Sequence, residues 1–156
     1  MQISRATAAL AAALAFGAAS AIHAQMPTWN AEQKSVWAVV EQSWVDEVAQ
    51  NGKWPADYAD PQMIGWGSDQ HSPRGKDSIA RWSRYSDSQG KTIQYEITPQ
   101  AIAISGSTAV VTYVATTVRQ RGTDKPEQVQ EALTETLVKS GGSWKFLASV
   151  TWTVGK

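Results

Sequence analysis

The sequence predicts an α+β fold in which helices come first and a run of long antiparallel strands follows. Between residues 30 and 89 apolar side chains recur at helical spacing, whereas after Gly90 they alternate with polar ones. The stretches 105–107 and 140–143 have the composition of tight hairpin turns. Strands joined in this way form a meander, and a curved sheet that wraps over the first helix buries an apolar face of each.

Residues 1–24 are predicted to be a signal peptide, and residues 25–156 a single domain. Arg5 supplies a positive start, an alanine-rich apolar stretch follows, and the small residues up to Ala24 suit cleavage by a signal peptidase. The stretch is too short and too rich in alanine to be a stable membrane span. We therefore expect a periplasmic or secreted protein with no membrane partner.

The composition argues against several classes of partner. The formal net charge is zero, so no basic face for nucleic acid is expected. The chain has no cysteine, and after the predicted signal peptide its one histidine is His71. Because the usual metal-ligand sets need several such residues, we expect no metal site, and no cofactor. Eight tryptophans suggest an aromatic-lined pocket as well as an aromatic core.

Three helices are predicted before the long strands. The first begins at Asn30, which forms a capping-box pattern with Gln33, and it ends at a left-handed cap formed by Asn51 and Gly52. Its apolar stripe consists of Val36, Trp37, Val40, Trp44 and Val48. A short second helix begins at Pro55, and the third is "GKDSIARWSRYSDSQG".

Five strands are predicted, one short and four long. The short strand "QMIGWG" lies between the second and third helices, and the long strands begin after Gly90. In the first long strand the apolar positions change parity near Pro99, which predicts a bulge there. In the last strand, strict alternation places Trp152 on one face with Trp144, Phe146, Ala148 and Val150.

Three passages carry a resemblance to a known family: "DYADPQMIGW", "PRGKDSIARW" and the final hairpin "TETLVKSGGSWKFLASVTW". With the order of elements, they resemble the NTF2-like superfamily, in particular its SnoaL-like and DUF4440-like branches, from about Trp29 to Val154. The resemblance implies an NTF2-like (cystatin-like) cone with a pocket open at one end. A long N-terminal helix and two shorter helices would pack on a strongly curved, mostly antiparallel sheet. It also implies dimerisation through the outer sheet face, so we expect a homodimer.

This superfamily includes ketosteroid isomerases, polyketide cyclases, dehydratases, epoxide hydrolases and non-catalytic binding modules, so the fold does not define the function. Its steroid isomerases carry a general-base aspartate late in the first strand. Here the corresponding residues 63–67 read Met-Ile-Gly-Trp-Gly, and Gly65 or Trp66 stands in its place. This departure argues against the isomerase mechanism.

Four residues are candidates for proton transfer. His71 at a pocket mouth could act as acid or base with Asp69 fixing its tautomer, but a polar surface turn is the favoured interpretation. Glu131 and Glu135 share one strand face with leucines, so either could be a general base inside the cone. Either could equally form an ion pair with Arg119 or Arg121, and an ion-pair or rim position is the favoured interpretation.

The aromatic residues predict what the pocket binds. The candidate ligand-binding residues are Trp44, Trp66, Trp82, Tyr113 and Trp152. A nearly uncharged, hydrophobic cavity of this kind would suit a small apolar or aromatic molecule. The leading hypothesis is a pocket protein, with a cofactor-free lyase, isomerase or cyclase reaction if it is an enzyme. The alternative is a non-catalytic, dimeric protein-interaction module.

Overall fold

The computed structural model describes residues 28–154, and the predicted signal peptide lies outside them. The helices are α1 (Ala31–Val48) and α2 (Lys76–Gln89). The strands are β1 (Ala59–Trp66), β2 (Arg74–Gly75), β3 (Lys91–Ser105), β4 (Thr108–Gln120), β5 (Glu127–Ser140) and β6 (Ser143–Thr153). Within the described part of the chain, neither helix is long and apolar enough to cross a membrane.

All six strands form one curved, mixed sheet in the order β2-β1-β6-β5-β4-β3. The strands from β3 to β6 form the expected antiparallel meander, and β1 is added beside β6 in parallel. The predicted tight turns join β3 to β4 and β5 to β6. Gly106, Gly141 and Gly142 in these turns have positive φ angles, which glycine adopts at little steric cost.

The capping box predicted for α1 is confirmed. The Asn30 side chain accepts a hydrogen bond from the Gln33 backbone N–H at 2.9 Å, and the Gln33 side chain accepts one from Asn30 N–H at 3.0 Å. Gln33 also donates to the Ile102 carbonyl at 2.8 Å, which fixes the helix start on β3. The predicted end was wrong by a few residues: α1 stops at Val48, and Gln50 takes a left-handed conformation with φ 52°.

The second of the three predicted helices is not formed. Residues 54–58 make turns, because pairing of the following residues with β6 begins at once. Ala59 pairs with Phe146, and the Tyr58 carbonyl accepts a hydrogen bond from Phe146 N–H at 3.0 Å. Only a single helical turn remains, closed by Ala59 N–H on the Pro55 carbonyl at 3.0 Å.

Two bulges decide which side chains face the helices. The one predicted near Pro99 is confirmed, since the β3–β4 register shifts between Pro99 and Ala101. A second bulge in β6 was not predicted: Thr136 pairs with Ala148, but Leu137 pairs with Phe146. The prediction of a single face for this strand was therefore wrong.

The concave face of the sheet and one side of α1 form the core. Its fully buried members include Val36 and Val40 of α1 with Val111, Leu137 and Phe146 of the sheet. Burying each of these side chains contributes roughly 1.5–3 kcal/mol. The core fills the end of the concave space near the two hairpin turns, so the opposite end, towards residues 121–131, is the open one.

Candidate functional site

A cavity of about 350 Å³ lies between the concave face, α1 and the loop that follows β1. Its polar lining consists of Ser43, Glu47, Ser68, Asp69, Gln70, Arg119, Glu131, Glu135, Ser149 and Thr151. Its apolar and aromatic lining consists of Trp44, Trp54, Gly67, Tyr113 and Leu133. The lining is therefore more charged than the hydrophobic cavity predicted from the sequence, with four carboxyl groups and one guanidinium.

The β5 residues in this cavity become more buried with depth. From the open end inward they are Glu131, Leu133 and Glu135, and Leu137 follows in the core, because alternate residues of a strand share one face. Glu131 is partly exposed, whereas Glu135 is 4% exposed. The face of β5 that holds both predicted carboxylates is therefore the one that lines the cavity.

Glu135 is a buried carboxyl group with one oxygen free. Ser149 on the neighbouring strand donates a hydrogen bond to its Oε1 at 3.4 Å, and its Oε2 has no hydrogen-bond partner among the described residues. Burial raises the pKa of Glu135 to about 8, against the opposing effect of the Tyr113 and Ser149 hydroxyls. At neutral pH this side chain is therefore mostly an uncharged acid.

Tyr113 and Trp44 form a hydrogen-bonded pair next to Glu135. Tyr113 lies on the inner face of β4, one position diagonally from Glu135, since Val111 pairs with Glu135 and Tyr113 with Leu133. The indole Nε1–H of Trp44 donates to the Tyr113 hydroxyl at 3.0 Å. Burial, followed by the nearby Glu135 charge, raises the pKa of Tyr113 well above its usual value. The phenol therefore keeps its proton, and the Glu135 carboxyl group is a nearby acceptor for it.

Glu47 and Glu131 lie nearer the open end, and Arg119 affects the pKa of both. Burial raises the pKa of Glu47 to about 7, with a further rise from Asp87 and an opposing effect from Arg119. Burial and the Asp69 charge raise the pKa of Glu131, again against Arg119. The Arg119 guanidinium donates to the Ser86 hydroxyl at 2.7 Å, and its Nε has no partner in the described residues.

The ion pairs expected for the two β5 carboxylates are not formed. In the described part of the chain the salt bridges are Lys53–Asp46 at 3.3 Å and Lys139–Glu32 at 3.2 Å. Arg119 therefore lies close enough to affect the pKa of Glu131 but does not pair with it within 4.0 Å. The predicted salt bridges were wrong, whereas the partly exposed position of Glu131 near the open end agrees with the rim interpretation.

The two loop candidates are separated by the structure. Asp69 lines the cavity at its open end, although much of its side chain is exposed. His71 is exposed in the bend before β2 and does not line this cavity, in keeping with the favoured interpretation of a surface turn. No group of three or more metal-binding side chains occurs among residues 28–154.

The five aromatic candidates divide into two groups. Trp44 and Tyr113 line the cavity, as described above. Trp66 and Trp152, 48% and 46% exposed, lie on the outer face of the sheet, because Trp66 pairs with Val150 and the β6 bulge turns Val150 and Trp152 outward. Trp82 is 50% exposed on α2, where the Arg74 guanidinium lies 4.5 Å from its ring centre.

Gly65 or Trp66 stands at the position where the steroid isomerases carry an aspartate, and Ile79 of α2 occupies the space next to Gly65. A Cβ atom on Gly65 would lie 3.1 Å from Ile79 Cδ1. Ile79 itself packs against the core. A side chain at this position would therefore require Ile79 to shift by a few tenths of an ångström, and the most buried carboxyl group of the cavity lining comes from β5 instead.

Sequence reasoning missed Glu47, Arg119 and Ser149 as lining residues. Glu47 could have been found, because it follows Trp44 by three residues and Ser43 by four and so shares their side of α1. Arg119 could also have been found, since it shares the alternation of Tyr113 along β4. Ser149 could not, because its orientation depends on the β6 bulge.

Comparisons with known proteins agree with this geometry. The family model of the SnoaL-like domain matches residues 40–151. A ketosteroid isomerase-like protein from Erwinia carotovora atroseptica is 14% identical, with a TM-score of 0.72 over 82% of this chain and 100% of its own. An NTF2-like protein from Cytophaga hutchinsonii is 10% identical, with a TM-score of 0.68 over 81% of this chain and 100% of its own.

A third similar structure is a proposed scytalone dehydratase from Novosphingobium aromaticivorans. It is 14% identical, with a TM-score of 0.67 over 80% of this chain and 85% of its own. At these identities the structural matches establish the NTF2-like fold alone. The comparison with curated proteins gives no match.

Proposed function

The chain belongs to the SnoaL-like domain family, and from this premise we propose that it is a cofactor-free enzyme that moves a proton on a small organic molecule. The observation that supports the proposal is Glu135, a 4% exposed carboxyl group in the cavity whose Oε2 has no partner in the described part of the chain. Burying a carboxyl group without a full set of partners costs free energy of folding. Acids whose pKa is perturbed in this way are concentrated at catalytic sites.

Glu135 serves as the base that takes a proton from carbon. Its pKa of about 8 makes its ionised form a stronger base than an ordinary carboxylate, and pH values near neutrality still supply some of that form. Removal of a proton beside a carbonyl group leaves negative charge on the carbonyl oxygen. Glu135 then returns the proton to another atom of the substrate or to a leaving hydroxyl group.

Tyr113 stabilises the negative charge that develops. Its hydroxyl accepts a hydrogen bond from Trp44, so its own proton is available to the Glu135 carboxyl group or to a substrate oxygen in the cavity. A pre-positioned donor of this kind in a site shielded from water typically contributes about 10²–10³ in rate. Two similar structures bear the names of an isomerase and a dehydratase, and reactions of both kinds can begin with loss of a proton from carbon.

The test is exchange of ketone protons. We expect the protein in D2O to exchange the α-protons of at least one member of a panel of small aryl and cyclic ketones, followed by proton NMR. Glu135→Gln should slow this exchange by about 100-fold or more, as expected for loss of a general base. The rate should rise with pH and level off above about 8, because only ionised Glu135 accepts a proton.

The matched control is Glu96→Gln, which removes the same charge from an exposed position on β3. It should exchange protons at the wild-type rate. If Glu135→Gln and wild type exchange every ketone equally, the catalytic proposal is wrong and the non-catalytic interaction module becomes the better account.

A second proposal concerns assembly. We propose that the outer face of the sheet joins two copies of the chain. Its apolar part, here called the outer apolar face, consists of Ile64, Trp66, Val110, Val150 and Trp152, between 39% and 53% exposed. These residues lie on one side of neighbouring strands, interspersed with threonines. A two-fold axis would pack this face against the same face of a second copy, so one surface is sufficient to form a dimer.

A further inference from the structure

The cavity lining has more acidic than basic side chains, and this excess bears on the substrate class. Glu47, Glu131 and Asp69 surround the open end and Glu135 lies deeper, whereas Arg119 is the one cationic side chain of the lining. No salt bridge within 4.0 Å joins Arg119 to any of the four in the described part of the chain. The lining therefore has three more carboxyl groups than guanidinium groups.

A second observation concerns the hydrogen bonding of Glu135 and does not depend on the three carboxyl groups at the open end. Glu135 is 4% exposed, lines the same cavity, and has an oxygen atom with no hydrogen-bond partner among the described residues. An acceptor buried to this degree normally has a partner. The unpartnered oxygen indicates that the cavity is built around a ligand that completes its hydrogen bonding.

Aromatic rings line the same cavity as the carboxyl groups. Trp44 lines the cavity with Glu47, stacks on Tyr95 at 5.8 Å between ring centres, and meets Tyr113 edge to face at 6.5 Å. The faces of such rings attract cations, more strongly in sites shielded from water. Carboxyl groups and indole rings together are a typical environment for an organic ammonium group.

We infer that the ligand of this cavity carries a positively charged nitrogen, held by Glu47 and Glu131 at the open end while the rest of the molecule reaches Glu135. The inference rests on the proposed function and names its substrate class: a small aromatic or cyclic carbonyl compound with an amine. Arg119 lowers the pKa of both carboxyl groups, but the four carboxyl groups of the lining outnumber it.

Binding of a cation should release protons. The charged and titratable groups that face Glu47 and Glu131 are Asp69, Asp87, Arg119, Tyr113 and Glu135. Burial and the neighbouring carboxyl groups hold part of this set protonated near neutral pH. A cation favours the ionised forms, so each bound ligand displaces a fraction of a proton or more.

The test compares three ligands of one shape: benzylammonium, benzyl alcohol and benzoate, titrated into the protein at pH 7 and constant ionic strength. Isothermal titration calorimetry should give benzylammonium a Kd at least about tenfold below that of benzyl alcohol, a difference of about 1.4 kcal/mol. The heat should depend on the buffer, as proton release requires. The double variant Glu47→Gln/Glu131→Gln should reduce the affinity for benzylammonium to that for benzyl alcohol.

The matched control is Glu41→Gln/Glu96→Gln, which removes the same charge from exposed positions outside the cavity. It should bind benzylammonium as wild type does. Equal affinity for benzyl alcohol, tighter binding of benzoate, or no saturable binding of any of the three would overturn the inference. Ketone exchange by Glu135 is measured separately, so either proposal can fail while the other stands.

Discussion

At the scale of single residues, Glu135 shows how burial makes a carboxyl group both reactive and destabilising. Its neutral form is favoured in the folded protein, because burial disfavours the charge and no salt bridge in the described part of the chain compensates it. In the unfolded chain the same group ionises near its usual pKa of 4.5. Between pH 4.5 and about 8, Glu135 is therefore mostly ionised in the unfolded chain and mostly protonated in the folded protein.

The sign of the pH dependence follows directly. With a folded pKa raised from 4.5 to about 8, Glu135 costs no stability below about pH 4.5 and costs progressively more as the pH rises to 8. Glu135→Gln removes this cost, which is on the order of a few kcal/mol. Thermal unfolding should show the variant with a higher Tm than wild type at pH 8.5 and a smaller difference at pH 5. A difference in Tm that does not depend on pH would contradict the assignment of a buried, neutral acid.

Asp46 is the opposite case among the buried acids. Its carboxylate accepts hydrogen bonds from the Tyr58 hydroxyl, from Asn51 at 2.6 Å and from Lys53 at 3.3 Å. The Tyr58 and Asn51 bonds lower its pKa to about 2, so the ionised form is the stable one. These bonds fix the end of α1 on the turns before β1, where the sequence had predicted a helix. The buried carboxyl groups Asp46 and Glu135 thus differ by about six in pKa, because hydrogen-bond donors lower the pKa of Asp46 whereas burial raises that of Glu135.

At the scale of elements, the contact between the end of α2 and the β4–β5 connection depends on Gly90. A Cβ atom at this position would collide with the Gln120 carbonyl oxygen and lie 3.0 Å from Arg121 Cα. Both are backbone atoms, which move only if the strands move. The φ of Gly90 is 172°, an extended value open to any residue, so the requirement for glycine is one of space.

Gly90→Ala should therefore lower the free energy of unfolding by about 1–3 kcal/mol, as overpacking of a fixed contact does. Chemical denaturation is the suitable measurement. Gly75→Ala is the control, because a Cβ there meets only the Met63 carbonyl oxygen at 3.9 Å. Equal stability of the Gly90 variant and wild type would show that α2 can shift away from the sheet at little cost.

The elements themselves could largely be predicted from the sequence, but the site could be predicted only in part. Capping at Asn30, the hairpin glycines and the parity change at Pro99 are local signals, and the structure contains each of them. The β6 bulge has no such signal, because an extra residue between Phe146 and Ala148 leaves the chain apolar on both sides. The bulge turns Trp152 to the outer face of the sheet and Ser149 to the inner face. The aromatic residues of β6, which alternation had placed on one face, therefore lie on two faces.

At the scale of the whole molecule, the two faces of the sheet carry different kinds of side chain. The concave face holds the cavity, and its acidic residues alternate along β5 with apolar ones. The convex face carries the outer apolar face, where five large apolar side chains remain between 39% and 53% exposed. Because an isolated copy would leave these side chains in water, their arrangement favours association.

Dimerisation through this face can be tested with one charged side chain. Val150 is 44% exposed and pairs with Trp66 on one side and Thr134 on the other, near the middle of the outer apolar face. In a dimer, Val150→Lys would place two ammonium groups in the interface without partners, whereas in a monomer it would add a solvated charge. Light scattering after size exclusion should therefore give a dimer for wild type and a monomer for Val150→Lys.

Tyr85→Lys, at a 56% exposed position on α2, is the control and should stay dimeric. A wild-type chain that is monomeric at every concentration tested would sink the assembly proposal and leave the cavity proposals untouched, because the lining of the cavity lies within one chain.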